Sequence, residues 1–283
     1  MSSILLLLLP AFVACLVLLG IHVYLGIHVL SRGVIFVDLA LAQVAALGAT
    51  CAFLFGAEPG SIGAYFASLG FTFLGAILFT LVRSQSHRVP VEAFIGIVYA
   101  VASAVAVIVA DRGPHGADEI REILVGNLLA VTWERIAATA AIYVVVAAIH
   151  FVFRHQFILV SVDPVAAEKR GMRIALWDLA FYVTFGVVIS LSVAIGGVLI
   201  VFSYLVIPTV IVALFVQGVG RRLLAGWAVG FLASVLGIYA SFSLDMPTGA
   251  AVVATFGALL AVAFVARHLI PGASPALPDR SHP

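Results

Sequence analysis

Long apolar runs separated by short polar stretches make up almost the whole chain. A membrane-spanning helix needs roughly 20 mostly apolar residues, and about nine runs approach that length: residues 4–30, 36–56, 62–82, 91–110, 135–153, 175–195, 198–216, 223–241 and 248–266. The pattern predicts an all-α fold, a polytopic membrane helix bundle with about nine membrane segments. Residues 1–270 are predicted to form a single transmembrane domain, and the proline-rich residues 271–283 a short disordered cytoplasmic tail.

One polar stretch, residues 154–173, interrupts the apolar second half of the chain. Asp163 followed by Pro164 is typical of the start of a helix, and Gly171 is typical of its end. The stretch carries four cations: Arg154, Lys169, Arg170 and Arg173. It is predicted to be a short helix outside the bilayer that is presented to a soluble partner.

Composition excludes a soluble globular protein. Hydrophobic residues make up 64% of the chain and charged residues only 10%, whereas soluble domains are about one quarter charged.

If the loop at 31–35 is cytoplasmic, 11 of the 14 lysines and arginines lie inside, and the positive-inside rule then places the N-terminus outside. A lipoprotein signal peptide modified at Cys15 is disfavoured because the start lacks a basic region and the apolar run continues to Leu30.

Polar side chains inside the second span are candidates for a transport pathway. Asp38 and Gln43 lie there among small residues that allow helices to pack closely. A charged group in the bilayer costs about 2.5–3.5 kcal/mol on insertion scales and usually faces a cavity or a partner. The alternative for Asp38 is a helix cap near the membrane interface.

Other ionisable residues have ordinary structural explanations beside the functional ones. His22 either faces a pore or bonds a neighbouring helix, and His28 is expected to do the latter. Glu92, in the first turn of the fourth span, is interpreted first as a helix cap and second as a pore residue. Asp178 is expected to be structural, within reach of the cations of residues 154–173.

Glycine and proline positions predict two packing features. Gly196, Gly197 and Pro208 indicate that the seventh span is kinked or discontinuous. Gly226 and Gly230 form a motif for close helix packing. The sequence contains no motif for an ATP site, a hydrolase, a metalloprotease or a dinucleotide site, so the chain is predicted not to be an enzyme.

Six segments, in their order and spacing, resemble the permease subunits of ATP-binding-cassette (ABC) importers for zinc, manganese and iron, relatives of the vitamin B12 and siderophore permeases. They are RGVIFVDLALAQVAALG, EAFIGIVYAVASA, PHGADEIREILVGNLLAVTW, DPVAAEKRGM, GGVLIVFSYLVIPT and DMPTGAAVV. The resemblance, which runs from Arg32 to Val265, implies an inner-membrane (plasma-membrane) permease that imports a divalent metal ion as a homodimer. It also implies a separate ATPase subunit that hydrolyses ATP, an extracytoplasmic metal-binding protein and no permanently bound cofactor. No nucleic-acid partner is expected.

The resemblance also assigns a role to the polar stretch. In such permeases a DPxxAxxxG segment forms the cytoplasmic coupling helix, which sits in a groove of the ATPase subunit. Asp163, Pro164, Ala167 and Gly171 match this segment. We expect a small-residue face to fit the groove while the nearby cations hold the register by charge complementarity.

The second span departs from the family pattern, in which many members have an aspartate followed four residues later by a histidine. Alignment on Gly48 places Gln43 at the histidine and Leu39 at the aspartate, and alignment on Asp38 places Ala42 at the histidine. Oxygen ligands suit manganese better than zinc, which puts zinc in doubt. The candidate metal-pathway residues are Asp38, Gln43, His22 and Glu92. The alternatives are a siderophore or other metal-chelate permease and an ATPase-independent secondary transporter or channel.

Overall fold

The structure is a computed structural model, and it describes residues 2–57, 61–84, 90–111, 126 and 128–269. Within these ranges the chain forms ten helices, one 3-10 turn (Leu128–Ala130) and no strand. The helices are α1 (Ser2–Arg32), α2 (Val37–Leu54), α3 (Ile62–Ser84), α4 (Val91–Ala110), α5 (Trp133–Val152), α6 (Arg154–Val162), α7 (Pro164–Lys169), α8 (Ile174–Ala213), α9 (Val219–Leu244) and α10 (Thr248–Leu269). The tail at 271–283 lies outside the described residues, and its disorder remains a prediction.

Eight of the described helices are long and apolar enough to cross a membrane, and the predicted all-α membrane bundle is confirmed. They are α1 from Leu8 onward, α2, α3, α4, α5, α8, α9 and α10. The difference from the nine expected segments lies in α8, whose 40 residues contain the expected sixth and seventh spans. A straight helix of that length would measure about 60 Å, roughly twice the thickness of the hydrocarbon core.

The helix α8 is interrupted at Gly197, as the sequence predicted. Gly197 has φ 73° and ψ 167°, a backbone conformation that is essentially restricted to glycine. Pro208 lies in the second half of α8 and introduces no further non-helical residue within that helix.

Contacts between α8 and α1 show that the chain reverses direction at this break. The contacting pairs, in the order of α8, are Asp178 with Arg32, Gly196 with Leu18, and Thr209 with Gly26. Residues 174–196 therefore run antiparallel to α1, and residues 198–213 run back alongside it. The two halves of α8 are the two consecutive segments that the apolar pattern predicted.

The helices α1, α2 and α8 form the interior of the bundle, since half or more of each apolar stretch is buried. The remaining long helices are more exposed and present large apolar side chains at their surface. Examples are Phe66, Val144 and Val262, each more than half exposed. Apolar surface of this extent is expected where helices face lipid or a partner.

Glycines bring α9 into direct contact with α1. A Cβ atom added at Gly226 would lie 2.5 Å from a methyl carbon of Val23, and one at Gly230 would lie 2.1 Å from a methyl carbon of Leu19. Both positions therefore exclude larger side chains without rearrangement. The predicted close-packing motif is confirmed.

One end of the bundle gathers the charged helix termini, and we call it the charged end. It comprises the end of α1 at Arg32, the end of α3 at Arg83, the start of α4 at Glu92, the end of α6 at Ser161 and the start of α8 at Asp178. Hydrogen bonds connect these termini, including Arg32 to Ser161 at 2.9 Å and Arg83 to Asp178 at 2.8 Å. Arg32, Arg83 and the end of α6, which leads into the polar stretch, thus lie at the same end of the bundle.

Replacing Gly197 with alanine should destabilise the protein by about 1–3 kcal/mol, because alanine does not readily adopt this backbone conformation. The measurement is the thermal unfolding midpoint of the purified protein in detergent. Gly220→Ala is the matched control, since Gly220 is helical and an added Cβ there meets no atom within 4 Å. Equal midpoints for Gly197→Ala and the parent would contradict the proposed importance of the reversal.

Candidate metal pathway and coupling segment

Asp38 lies in the first turn of α2 and is only 1% exposed. Its carboxylate is close to the backbone N–H groups of residues 38 and 39, yet neither oxygen makes a hydrogen bond of normal geometry with any described residue. The N-cap residue of α2 is Phe36, which supplies no side-chain bond. Buried charges are costly unless they are paired or bind a cation, so Asp38 is a candidate cation contact.

Glu92 approaches Asp38 from the neighbouring helix α4. Its Oε1 accepts a hydrogen bond from the Ile35 N–H at 2.5 Å, while Oε2 is buried without a partner among the described residues. The expectation that Glu92 caps its own helix is corrected, because the N-cap of α4 is Pro90 and Glu92 instead binds a free N–H in the turn before α2. An anion is favourable there because helix N-termini carry partial positive charge.

The two carboxyl groups are close enough to interact electrostatically. Together they present unsatisfied oxygens, a donor set that suits hard divalent cations. Within the described part of the chain, no group of three or more His, Cys, Asp or Glu residues is arranged to hold a metal ion. A complete coordination shell would therefore need other ligands, such as water, an amide or a second chain.

Gln43 is buried, with 6% of its surface exposed. It follows Asp38 by five residues, which places it about 140° around α2 and about 7.5 Å further along the helix axis. Its helix therefore does not present both residues to one ion. The structure groups Asp38 with Glu92 and leaves Gln43 on another part of α2.

His22 belongs to a different polar cluster, in which both of its ring nitrogens are engaged. Nδ1 contacts the Leu18 carbonyl at 2.7 Å, and Nε2 contacts the Ser192 hydroxyl at 3.1 Å. A carbonyl can only accept, so Nδ1 carries a proton and donates it to Leu18. The ring also lies edge-on to Tyr143. Of the two interpretations left open for His22, the structure favours the hydrogen-bonded one.

A second buried cluster joins α1 to α5, α6 and α8. His28 Nδ1 lies 2.8 Å from the Ser161 hydroxyl, which confirms the expected bond to a neighbouring helix. His150 bonds the Tyr24 hydroxyl at 3.2 Å and the Thr184 hydroxyl at 2.8 Å. His150 was not singled out from the sequence, because a histidine in the last turn of a span resembles an ordinary helix-end residue.

Arg32, Asp178 and Arg83 form an ion cluster at the charged end. Both arginines donate through Nη1 to the same Asp178 oxygen, Arg32 at 2.5 Å and Arg83 at 2.8 Å. The Arg32 guanidinium also lies over the Phe181 ring, 4.0 Å from its centre. Asp178 is structural, as expected, but the ion pairs that it forms are with Arg32 and Arg83 rather than with the cations of residues 154–173, because α1 and α3 end close to the start of α8.

The polar stretch 154–173 forms two helices, α6 and α7, where a single short one was predicted. Asp163 Oδ1 accepts a hydrogen bond from the Ala166 N–H at 2.8 Å, and Pro164 occupies the first turn of α7. Gly171 has φ 76°, and its N–H donates to the Glu168 carbonyl at 2.8 Å. The predicted start and end of the short helix are confirmed.

Ala167 has no exposed surface, so its small side chain allows α7 to pack against its own chain. It does not contribute to the exposed small-residue face that the sequence led us to expect. The exposed surface of α7 includes Val165, which is 59% exposed, together with Glu168 and Lys169. A groove of about 450 Å³ runs beside α7, and its lining includes His155.

The described residues thus form a helical bundle of span-length apolar helices, the architecture of a multi-pass membrane protein. A capped polar helix lies between two of these spans. The chain belongs to the ABC 3 transport family, whose family model matches residues 5–267.

Curated relatives and a solved structure agree with this assignment. The chain is 25% identical over 239 residues to the manganese import system permease protein ScaB of Streptococcus parasanguinis, covering 84% of this chain and 83% of that protein. It is 24% identical over 246 residues to the probable iron transport system membrane protein of Haemophilus influenzae, covering 87% and 85% respectively. Its fold is similar to that of PsaBC from Streptococcus pneumoniae in complex with Fab, with a TM-score of 0.77, 20% identity and 91% coverage of each chain.

Replacing Asp178 with asparagine should lower the free energy of unfolding by about 3–5 kcal/mol, since it leaves two largely buried arginines without their counter-charge. The measurement is thermal or denaturant unfolding of the purified protein in detergent. Asp245→Asn is the control, because Asp245 is exposed between α9 and α10, where substitutions change stability by less than about 0.5 kcal/mol. Unchanged stability of Asp178→Asn would show that the arginines do not depend on this acid.

Proposed function

We propose that this chain is the transmembrane permease subunit of an ABC importer that moves a divalent transition metal ion into the cytoplasm. The family match and the relatives named for manganese and iron transport support this class of substrate. The observation that carries the metal assignment is the buried, unsatisfied carboxylate of Asp38 beside the carboxylate of Glu92. A separate ATPase subunit hydrolyses ATP and drives the transport.

The chemistry of the proposed site favours manganese or iron over zinc as the substrate. Asp38 and Glu92 provide oxygen ligands, and Gln43 would contribute an amide oxygen. Imidazole suits zinc, whereas carboxylate and carbonyl oxygens suit harder ions. His22 supports this preference, because both of its ring nitrogens already contact protein groups.

A second copy of the chain would complete the pathway in this proposal. One chain brings two carboxylates together, and α2 turns Gln43 away from them, so a single chain offers few ligands. In a path between two copies, Asp38 of one copy and Gln43 of the other could face the same ion. An extracytoplasmic metal-binding protein would deliver the ion at the end of the bundle opposite the charged end.

The ATPase subunit is proposed to dock on α7. The helix is short and capped at both ends, and its outer surface combines Val165 with charged side chains. The residues that start and end α7, namely Asp163, Pro164 and Gly171, are exposed. Ala167 is buried and packs α7 against the rest of the chain. The groove beside α7 offers a recess for a side chain of the partner.

The charged end is proposed to face the cytoplasm, with the N-terminus outside, in the inner (plasma) membrane. The positive-inside rule supports this orientation, because Arg32 and Arg83 lie at the same end as the basic residues 154–173.

Replacing Asp38 with asparagine should reduce uptake of every transported divalent ion about tenfold or more, since each 1.4 kcal/mol of lost binding is a factor of ten. Asparagine has the same shape, so assembly should be retained. The measurement is competitive uptake of manganese, iron and zinc by cells with matched membrane levels of each variant. Asp245→Asn is the control. Uptake by Asp38→Asn at the parent rate would show that Asp38 only stabilises the start of α2.

A further inference from the structure

Ser161 connects the end of α6, which leads directly into α7, to α1. It lies in α6, two residues before Asp163, the N-cap of α7. Its hydroxyl donates to the Phe157 carbonyl at 2.7 Å and accepts from Arg32 Nε at 2.9 Å. His28 Nδ1 lies 2.8 Å from the same oxygen. Any displacement of α7 that moves Ser161 therefore acts on two side chains of α1.

Arg32 is in turn directly connected to the proposed metal site. It is the last residue of α1, and Gly33 follows it with φ 67° in a tight turn. The Ile35 N–H in that turn is held by Glu92, and α2 with Asp38 begins two residues later. Only five residues thus lie between Arg32, which contacts Ser161, and Asp38.

The ion cluster around Arg32 is not fully satisfied in the described structure. Two arginines compete for one oxygen of Asp178, and Arg32 Nη2 is buried without a hydrogen-bond partner among the described residues. Buried ion clusters commonly add little stability compared with apolar packing. A cluster in which two donors share one acceptor can be rearranged between discrete states, as a switching element requires.

We propose that Arg32, which is bonded to Ser161, is a positioning residue that transmits movement of α7 to the turn before α2. The inference rests on the proposed function, because it takes α7 as the ATPase docking helix and Asp38 with Glu92 as the cation site. When the ATPase moves α7, Ser161 carries the Arg32 side chain with it. The turn that follows Arg32 then shifts relative to Glu92, and the two carboxylates change their separation.

The test removes the connection and leaves the ion cluster in place. Ser161→Ala eliminates the hydroxyl but keeps a strong helix former in α6. The variant is purified with its ATPase subunit and reconstituted with the binding protein, and manganese imported per ATP hydrolysed is measured. We expect assembly and ATP hydrolysis to be retained while manganese imported per ATP falls about tenfold, which corresponds to the loss of one charge-assisted hydrogen bond.

Two further variants separate transmission from simple packing. Ser203→Ala is the matched control, because Ser203 is 2% exposed and its hydroxyl donates to the Leu199 carbonyl within its own helix. Ser161→Thr retains the hydroxyl and should retain the parent ratio of manganese to ATP. A parent ratio in Ser161→Ala would overturn the proposal, and so would loss of ATPase binding or of stability in that variant.

A second readout does not depend on the transported substrate. After replacement of Cys15 and Cys51 by alanine, a cysteine is placed at Phe36, which is 50% exposed, and its rate of thiol labelling is measured with and without ATP. ATP should change this rate in the parent complex, and Ser161→Ala should abolish the change. The same change in both complexes, or none in the parent, overturns the transmission proposal. Failure of the parent to import manganese, with the labelling difference intact, overturns only the proposed substrate.

Discussion

Two arginines that share one buried carboxylate oxygen hold the charged end of the bundle together. Arg32 is the last residue of α1, Arg83 lies in the last turn of α3, and Asp178 lies near the start of α8. The acid therefore fixes three helices at one depth. Removal of the Asp178 carboxylate would leave the buried positive charges of Arg32 and Arg83 without a counter-charge. The turn before α2 and the end of α6 are both placed relative to this cluster, since each connects to Arg32.

Features that depend on a few neighbouring residues could be predicted from the sequence. The apolar runs predicted the membrane helices, because in lipid the backbone N–H and C=O groups must form their hydrogen bonds within the segment. Gly197 predicted the break in α8, and Asp163 and Gly171 predicted the two ends of α7. These residues act through their own backbone or through their immediate neighbours in the sequence. The number of membrane-spanning helices differs because two spans meet at Gly197 without an intervening loop.

Features that depend on contacts between distant segments could not be predicted. Asp178 is separated from Arg32 by 146 residues, and periodicity contains no information about which helix ends meet. The sequence offered Asp38 and Glu92 as separate candidates for the pathway, but only the packing of α2 against α4 brings their carboxyl groups within range of electrostatic interaction. Likewise, the burial of Ala167 and the occupied nitrogens of His22 follow from three-dimensional packing, so their roles differ from those that residue type alone favoured.

We propose that this chain forms a metal path whose operation requires a separate ATPase. The decisive measurement is manganese entry into proteoliposomes that contain the parent chain, its ATPase subunit and the metal-binding protein, with and without ATP. We expect free manganese to accumulate only when ATP is available to the ATPase, and none to accumulate when the permease is omitted. Entry at the same rate without ATP would identify a channel or secondary transporter, and entry of chelated metal alone would contradict the free-ion substrate.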